Sequence, residues 1–366
     1  MAIRWCAVRG SGAAVALVRQ SRAWTQADLA EAAGMSQGYI SKVENGQLEL
    51  EGTPLIEVAG ALQVPPALLA IRDPSLGTGV SCVRHRRRRS KLTVATTRRI
   101  EGLAHLASLT VTGLVRELPA PLEPKVPALV DADGRPAVTA ARHLRNTARL
   151  GDRPVPNVLR LIEDMQVAVV RRDLATDGQD AVSLRLAERH PVILVNTALS
   201  GDRQRFTLAH ELGHLTLHGW DVATADDAIE QEANLFAAEL LAPGEIMREE
   251  LAGLTARDFR RLLELKHRWG VSMAALIEQA RHLDIVDEQL HRTLRIRLNE
   301  YGWTRVEPGD VPVEEPTLVP RIVDGHLDQL GRPVEKVAAT ALMLPGPFRK
   351  HYLQHRAPAD GEEVVT

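Results

Sequence analysis

His210 and His214 stand four residues apart with Glu211 directly after the first of them. On a helix of 3.6 residues per turn, positions i and i+4 lie about 40° apart on one face, so both imidazoles can reach one metal ion. Glu211 then occupies the place of a general base for a water activated by that metal. The pattern H-E-x-x-H therefore points to Zn2+ and to hydrolysis of a peptide bond. By chance it arises roughly once in a few dozen chains of this His and Glu content, so its setting must decide. Phe206, Ala209, Leu212, Gly213 and Leu217 recur near helical spacing around the charged trio. That predicts a buried helix, and buried His and Glu need partners, of which a metal is one. The bland alternative is an amphipathic helix whose histidines are satisfied by hydrogen bonds.

Catalytic zinc keeps three protein ligands and one open position. The third is sought in Glu230-Gln231-Glu232-Ala233-Asn234, which begins sixteen residues after His214. Residues 229–243 read as a second helix, with Ile229, Ala233, Phe236, Ala237, Leu240 and Leu241 on its apolar face. Glu230 and Asn234 are i and i+4 and share a face. Glu232 points about 200° from Glu230, so both cannot face one ion. Glu230 is the expected ligand, and Asn234 can hydrogen-bond a ligating His from outside. His218 drifts a further 40° round its helix and lies about 12 Å along the axis from His210. It reads as an outer or helix-end residue and not as a ligand.

Arg203-Gln204-Arg205-Phe206-Thr207-Leu208-Ala209-His210-Glu211-Leu212-Gly213-His214, followed by Glu230-x-Glu232-Ala233-Asn234-x-Phe236-Ala237-Ala238-Glu239-Leu240-Leu241-Ala242-Pro243, resembles the ImmA/IrrE family of metallopeptidases. The resemblance runs from about residue 137 to 308. It implies an intracellular gluzincin with a thermolysin-like helix pair, with His210, His214 and Glu230 as zinc ligands and Glu211 as catalytic base. Asn234 takes the family's Asp/Asn place, while Ala242 stands where Met is usual. By the same resemblance the substrate is a repressor or regulator. A second oxyanion stabiliser is expected in such an enzyme, with Tyr301 and His267 as candidates.

Residues 13–71 read as short helices with tight turns. Thr25-Gln26-Ala27-Asp28 is a capping-box-like start, Gly34 ends the second helix, and Ser36 caps a third over 37–44. Leu29, Ala30, Met35, Ile40 and Val43 are the expected core. The run from Trp24 to Gly46 resembles the Cro/repressor-like DNA-binding family. It implies a recognition helix starting at Gln37, with Gln37, Gly38 and Ser41 nearest the bases and Gln26 and Asn45 near phosphates. Charge within the stretch is balanced: residues 1–72 carry six Lys/Arg and six Asp/Glu, net zero. The block Arg84-His85-Arg86-Arg87-Arg88-Arg89-Ser90-Lys91 reads either as an arm on the phosphate backbone or as a solvated basic linker. A module used only for protein contact is the competing reading of the whole N-terminal region.

The elements around these motifs are mostly helical. Helices are expected at 92–118, 136–150, 154–166, 255–268, 272–283, 285–301 and 334–344, and strands at 167–171 and 191–196. The second strand precedes the metal helix and reads either as an edge that pairs with extended substrate or as a core strand. The fold class expected is mainly α with a small β-sheet: an N-terminal helix-turn-helix bundle, an α+β gluzincin-like metallopeptidase domain, and C-terminal helices. The expected boundaries are 1–72 for the DNA-binding domain, 73–135 for a basic linker and connecting helix, 136–306 for the peptidase domain and 307–366 for a tail.

At 366 residues, 45% hydrophobic and 3% aromatic, the chain must build its cores from Leu, Val and Ala. Two distant cysteines, Cys6 and Cys82, imply no disulfide framework, which suits a reducing cytoplasm. No secretory leader and no apolar run of membrane-spanning length is read. The partners implied are operator DNA and a protein substrate, with no membrane and with room for a homodimer. Two other readings compete: a transcription factor whose metal fold senses without cleaving, and an antitoxin-like partner of a mobile element. Glu211 argues against a pure sensor, which would not need it.

Overall fold

A computed structural model describes residues 9–76, 92–127, 136–218, 227–304 and 306–356. Cys6, Cys82 and the basic block 84–91 lie outside the described residues. The protein is mainly α with small sheets and divides into two compact units. One comprises 1–123, 186–192 and 317–366, the other 124–185 and 193–316.

The first unit begins with α1 (Gly12–Ser21), α2 (Gln26–Ala32) and α3 (Gln37–Glu44), then α4 (Gly52–Ala61) and α5 (Pro66–Leu69). Local chemistry sets the helix starts. Thr25 Oγ1 accepts from Asp28 N at 3.1 Å and Asp28 accepts from Thr25 N at 2.7 Å, a complete capping box. Ser36 Oγ accepts from Tyr39 N to open α3. Gly34 turns the chain between α2 and α3 at φ +65°, where a side chain would be strained. Leu29, Ala30, Ile40 and Val43 are buried with Val15, Val18, Leu50, Val58 and Leu62, and Met35 packs half-buried against them. Arg19 grips Glu44 with two hydrogen bonds of 2.6 and 2.8 Å, pinning α3 to α1. A two-residue bridge, β1 (Arg9–Gly10) with β2 (Leu50–Glu51), closes the bundle.

The long helix α6 (Val94–Arg116) packs on α1 and meets the C-terminal region. In the first unit that region holds more than the single helix expected at 334–344. It forms a helix at Leu318–Asp324, a π-helical turn at Gly325–Gln329, and helices at Val334–Thr340 and Pro345–Tyr352. Thr110 Oγ1 donates to Ala341 O at 3.0 Å, and His326 Nε2 donates to Leu114 O at 2.9 Å. Segment 186–192 also belongs here. Arg189 donates to Asp73 at 2.9 and 2.5 Å, and His190 N donates to Thr112 Oγ1. Burial raises the Asp73 pKa, but the hydrogen bonds from Ser75 and Arg189 outweigh it and bring the carboxyl down to about 2.

Asp73→Asn leaves the Arg189 side chain, 3% exposed, without its counter-charge. The expected loss is about 3 kcal/mol, as when one partner of a buried pair is removed. Because the folded pKa of Asp73 lies below the unfolded value of about 3.9, its contribution is full above that value. It fades as pH falls towards 2. Chemical denaturation across pH 2–7 checks this: the gap between wild type and variant should close at the acid end.

The second unit contains α7 (Pro136–Thr147), α8 (Val158–Asp164), strands β3 (Ala168–Arg172), β4 (Ala181–Leu184) and, from Ile193 on, β5 (Val192–Asn196), and α9 (Gly201–Leu217). After these come α10 (Asp227–Leu241), α11 (Gly244–Glu250), α12 (Phe259–Trp269), α13 (Met273–His282) and α14 (Glu288–Glu300). The sheet order is β3-β5-β4, so β5 is the central strand. The edge reading of residues 191–196 is thereby corrected. Val192-Ile193-Leu194-Val195 is a continuous apolar run, which suits a strand buried on both faces and not an edge. The edge next to α9 is β4, whose four residues gave no periodicity to read.

Segment 306–316 straps this unit together. Glu314 accepts from Val158 N and Leu159 N at 3.1 and 2.7 Å, capping α8, and pairs with Arg205 of α9. Glu307 accepts from Met273 N and Ala274 N at the start of α13, and from Lys266, which also donates to Asp202 at 2.7 Å. Carboxylates at helix N-termini satisfy orphan N–H groups and meet the positive end of the dipole. Here two of them also anchor the first turns of α9.

Candidate metal centre

Helix α9 is buried along almost its whole length, from Gly201 to Thr216. Its apolar positions Leu208, Ala209 and Leu212 are fully enclosed. Gly213 is needed for its neighbour: a Cβ there would stand 3.1 Å from Phe236 Cδ1 and 3.3 Å from Ala233 Cα. Without a side chain at 213, α9 and α10 close together, and their polar residues converge.

His210 Nε2 and His214 Nε2 are 3.0 Å apart, with rings edge to face. The two carboxylate oxygens of Glu230 each lie 3.4 Å from one of these nitrogens. All three residues are buried. Ligands at 2.0–2.1 Å around a tetrahedral zinc stand about 3.3 Å apart, so the observed spacings fit the ion in size, and two imidazoles with a carboxylate fit it in chemistry. Among the described residues this is the one group of three such side chains with ligand atoms within reach of a common ion. Burial pushes the Glu230 carboxyl up, but hydrogen bonds and charge from His210 and His214 more than offset it. The group is held far below the usual carboxylate range and stays ionised.

Each histidine has an outer partner on its Nδ1. His210 Nδ1 lies 3.0 Å from Asn234 Oδ1, the juxtaposition the i, i+4 spacing from Glu230 suggested. His214 Nδ1 lies 3.1 Å from His218 Nδ1, and His218 Nε2 lies 3.0 Å from Glu232 Oε2. Desolvation lowers the His218 pKa, against the opposing pull of Glu232. Glu211 is 3% exposed and accepts from Ser183 N at 2.8 Å. Asn196 N donates to Asp180 O. Backbone groups alternate sides along a strand, so Ser183 turns its N–H away from β5, towards Glu211. Ser183 escaped the sequence reading because β4 itself did.

The structure does not bring Tyr301 or His267 to this cluster. Tyr301 is exposed and packs edge to face on Phe259 and tilted on Trp303, at centroid distances of 5.4 and 4.6 Å. His267 lies against Gly309.

In the first unit, Gln37, Gly38 and Asn45 are exposed and Ser41 is half-buried on α3. Gln26, expected near phosphate, donates its amide to Glu44 at 2.8 Å, so that hydrogen bond competes with any contact to DNA.

Residues 162–281 match the family described as the IrrE N-terminal-like domain, and residues 15–69 match the helix-turn-helix family. The chain is similar to the radiation response metalloprotease IrrE of Deinococcus radiodurans, 41% identical over 101 residues that cover 24% of this chain and 30% of that protein. It is also similar to the protein of the same name from Deinococcus deserti, 35% identical over 107 residues that cover 26% of this chain and 33% of that protein. The chain thus spans about a third of the length of the curated relatives it matches. No helix among the described residues is long and apolar enough to cross a membrane.

Proposed function

We propose that this chain, a helix-turn-helix unit joined to a domain that matches the IrrE N-terminal-like family, is a DNA-binding regulator. We further propose that it carries a zinc-dependent endopeptidase of gluzincin type, directed at one repressor or regulatory protein. The observation that carries the reading is the triangle of His210, His214 and Glu230 donors, 3.0–3.4 Å on each side, beside the buried carboxylate of Glu211. The two relatives are named for a radiation response; only the metalloprotease half of that name is extended to this chain. A DNA-binding regulator works in the cytoplasm, where operator DNA is.

His210, His214 and Glu230 would hold the zinc. When bound, zinc supplies Lewis acidity, lowering the pKa of a water to about 7 and polarising a carbonyl. Glu211 takes the proton of the attacking water and passes it to the nitrogen of the leaving amine. The Ser183 N–H orients that carboxylate. Extended substrate would lie along β4 and pair with main-chain groups other than the Ser183 N–H, which Glu211 holds; such pairing selects a peptide over an ester. All four residues of β4 are buried, so a peptide reaches this edge only after some rearrangement. The deciding measurement is proteolysis and its dependence on Glu211. A Glu211→Gln chain that regulates normally in the cell would make this protein the metal-fold sensor instead.

The DNA half makes its own prediction. Gln37 is exposed at the first turn of α3, and a glutamine amide offers the donor and acceptor that pair with an adenine in the major groove. Gln37→Ala in the full chain should cut the preference for operator over random DNA by about 1–3 kcal/mol. Replacing Arg86–Arg89 with Gln should instead weaken all sequences alike and flatten the salt dependence. Mobility shifts at several salt concentrations read both. Absence of any sequence preference in the wild-type chain would leave the module as a protein-contact domain.

A further inference from the structure

We propose that His218 and Glu232 are positioning residues of the metal centre: together they hold His214 in the one tautomer that presents its Nε2 lone pair to the ion. The proposal rests on the zinc reading above and follows from counting protons along the chain of contacts. If His214 ligates through Nε2, its proton sits on Nδ1. That Nδ1 faces His218 Nδ1 at 3.1 Å, so the His218 nitrogen must be bare and accept. The proton of a neutral His218 then sits on Nε2, which faces Glu232 Oε2 at 3.0 Å. A carboxylate only accepts, so this end is satisfied too. The opposite order fails at both ends: it sets a ring lone pair against the Glu232 carboxylate and places the His214 proton on the nitrogen that must bind metal.

Burial makes the chain matter. The His218 side chain is 9% exposed, so water cannot readily take its place against His214. Glu232, 40% exposed, keeps the end of the chain in contact with solvent. The two candidate histidine ligands thus have different supports: His210 leans on the amide of Asn234, His214 on a second imidazole backed by a carboxylate. Helix α10 supplies both carboxylates, Glu230 to the cluster and Glu232 to the outer chain. Their i, i+2 spacing lets one helix serve the two sides of His214.

The test is the zinc dissociation constant of the full chain, read by competition with a chromogenic chelator. His218→Ala should weaken zinc about 10–100-fold, the usual cost of losing an outer partner of a metal-binding histidine. Glu232→Leu, at a half-exposed position, should follow it, while Glu232→Gln keeps an accepting oxygen and should recover most of the affinity. Nitrogen-15 NMR of the histidines gives a second readout: wild type should show His214 protonated at Nδ1, and Glu232→Leu a mixture of tautomers. If His218→Ala and Glu232→Leu both bind zinc within about twofold of wild type, the positioning role is overturned while the metal site stands. If wild type itself binds no zinc, the metal reading fails and takes this one with it.

Discussion

Glu211→Gln is expected to lower peptide-bond cleavage by about 10²–10⁴-fold, the usual contribution of a general acid–base, with zinc still bound at about one per chain. The substitution is nearly isosteric. Gln Oε can still accept from Ser183 N, so the link between α9 and β4 survives. What the amide cannot do is take a proton. The side chain is buried at 3% exposure, and no solvent carboxylate can deputise for it. Cleavage of a peptide library followed by mass spectrometry, together with metal analysis, separates the two effects. Loss of both zinc and activity would mean that the change damaged the fold, and Glu211→Asp, which keeps the acid but shortens its reach, would then be the informative variant. Unchanged cleavage by Glu211→Gln would remove Glu211 from the mechanism.

His210→Ala and His214→Ala should each take the zinc content from about one per chain to near zero, because two ligands remain where catalytic sites use three. Glu230→Gln should weaken binding more than Glu232→Gln, since Glu230 Oε atoms face both imidazoles and Glu232 reaches only His218. The effect shows in stability as well as in metal content. Zinc at about a hundred times its dissociation constant should stabilise wild type by about 2.7 kcal/mol. That is roughly 5–10 °C in Tm for a unit of this size. The histidine variants should show no zinc-dependent shift. A larger loss from Glu232→Gln than from Glu230→Gln would reverse the assignment of the third ligand.

The juxtaposition of His210, His214, Glu230 and Asn234 was legible because all four sit on two helices, where i, i+4 spacing alone defines a face. The helix-turn-helix was legible for the same local reason: Thr25 with Asp28, Ser36 and Gly34 are starts and stops that owe nothing to distant residues. Ser183 was not. Four residues of β4 carry no readable period, and their closeness to Glu211 depends on a strand order that only tertiary packing decides. His218 shows the limit differently. Its distance from His210 along the helix argues against sharing an ion, yet says nothing of its contact with His214 Nδ1 one turn away. The C-terminal helices of seven or eight residues, two of the three beginning at or next to proline, are too short for a periodic signal.

The division of the chain fixes an order of events during synthesis. The first unit draws on residues 1–123, 186–192 and 317–366, with the second unit threaded between them. Thr110 and Ala341, which share a hydrogen bond, are 231 residues apart. At 5–20 residues per second the ribosome needs roughly 10–50 s to cover that interval. The second unit is therefore spelled out in full while α6 still waits for its C-terminal partners. The usual sequence, in which the amino-terminal part of a protein matures first, is inverted: the second unit can finish folding before the first has all its pieces.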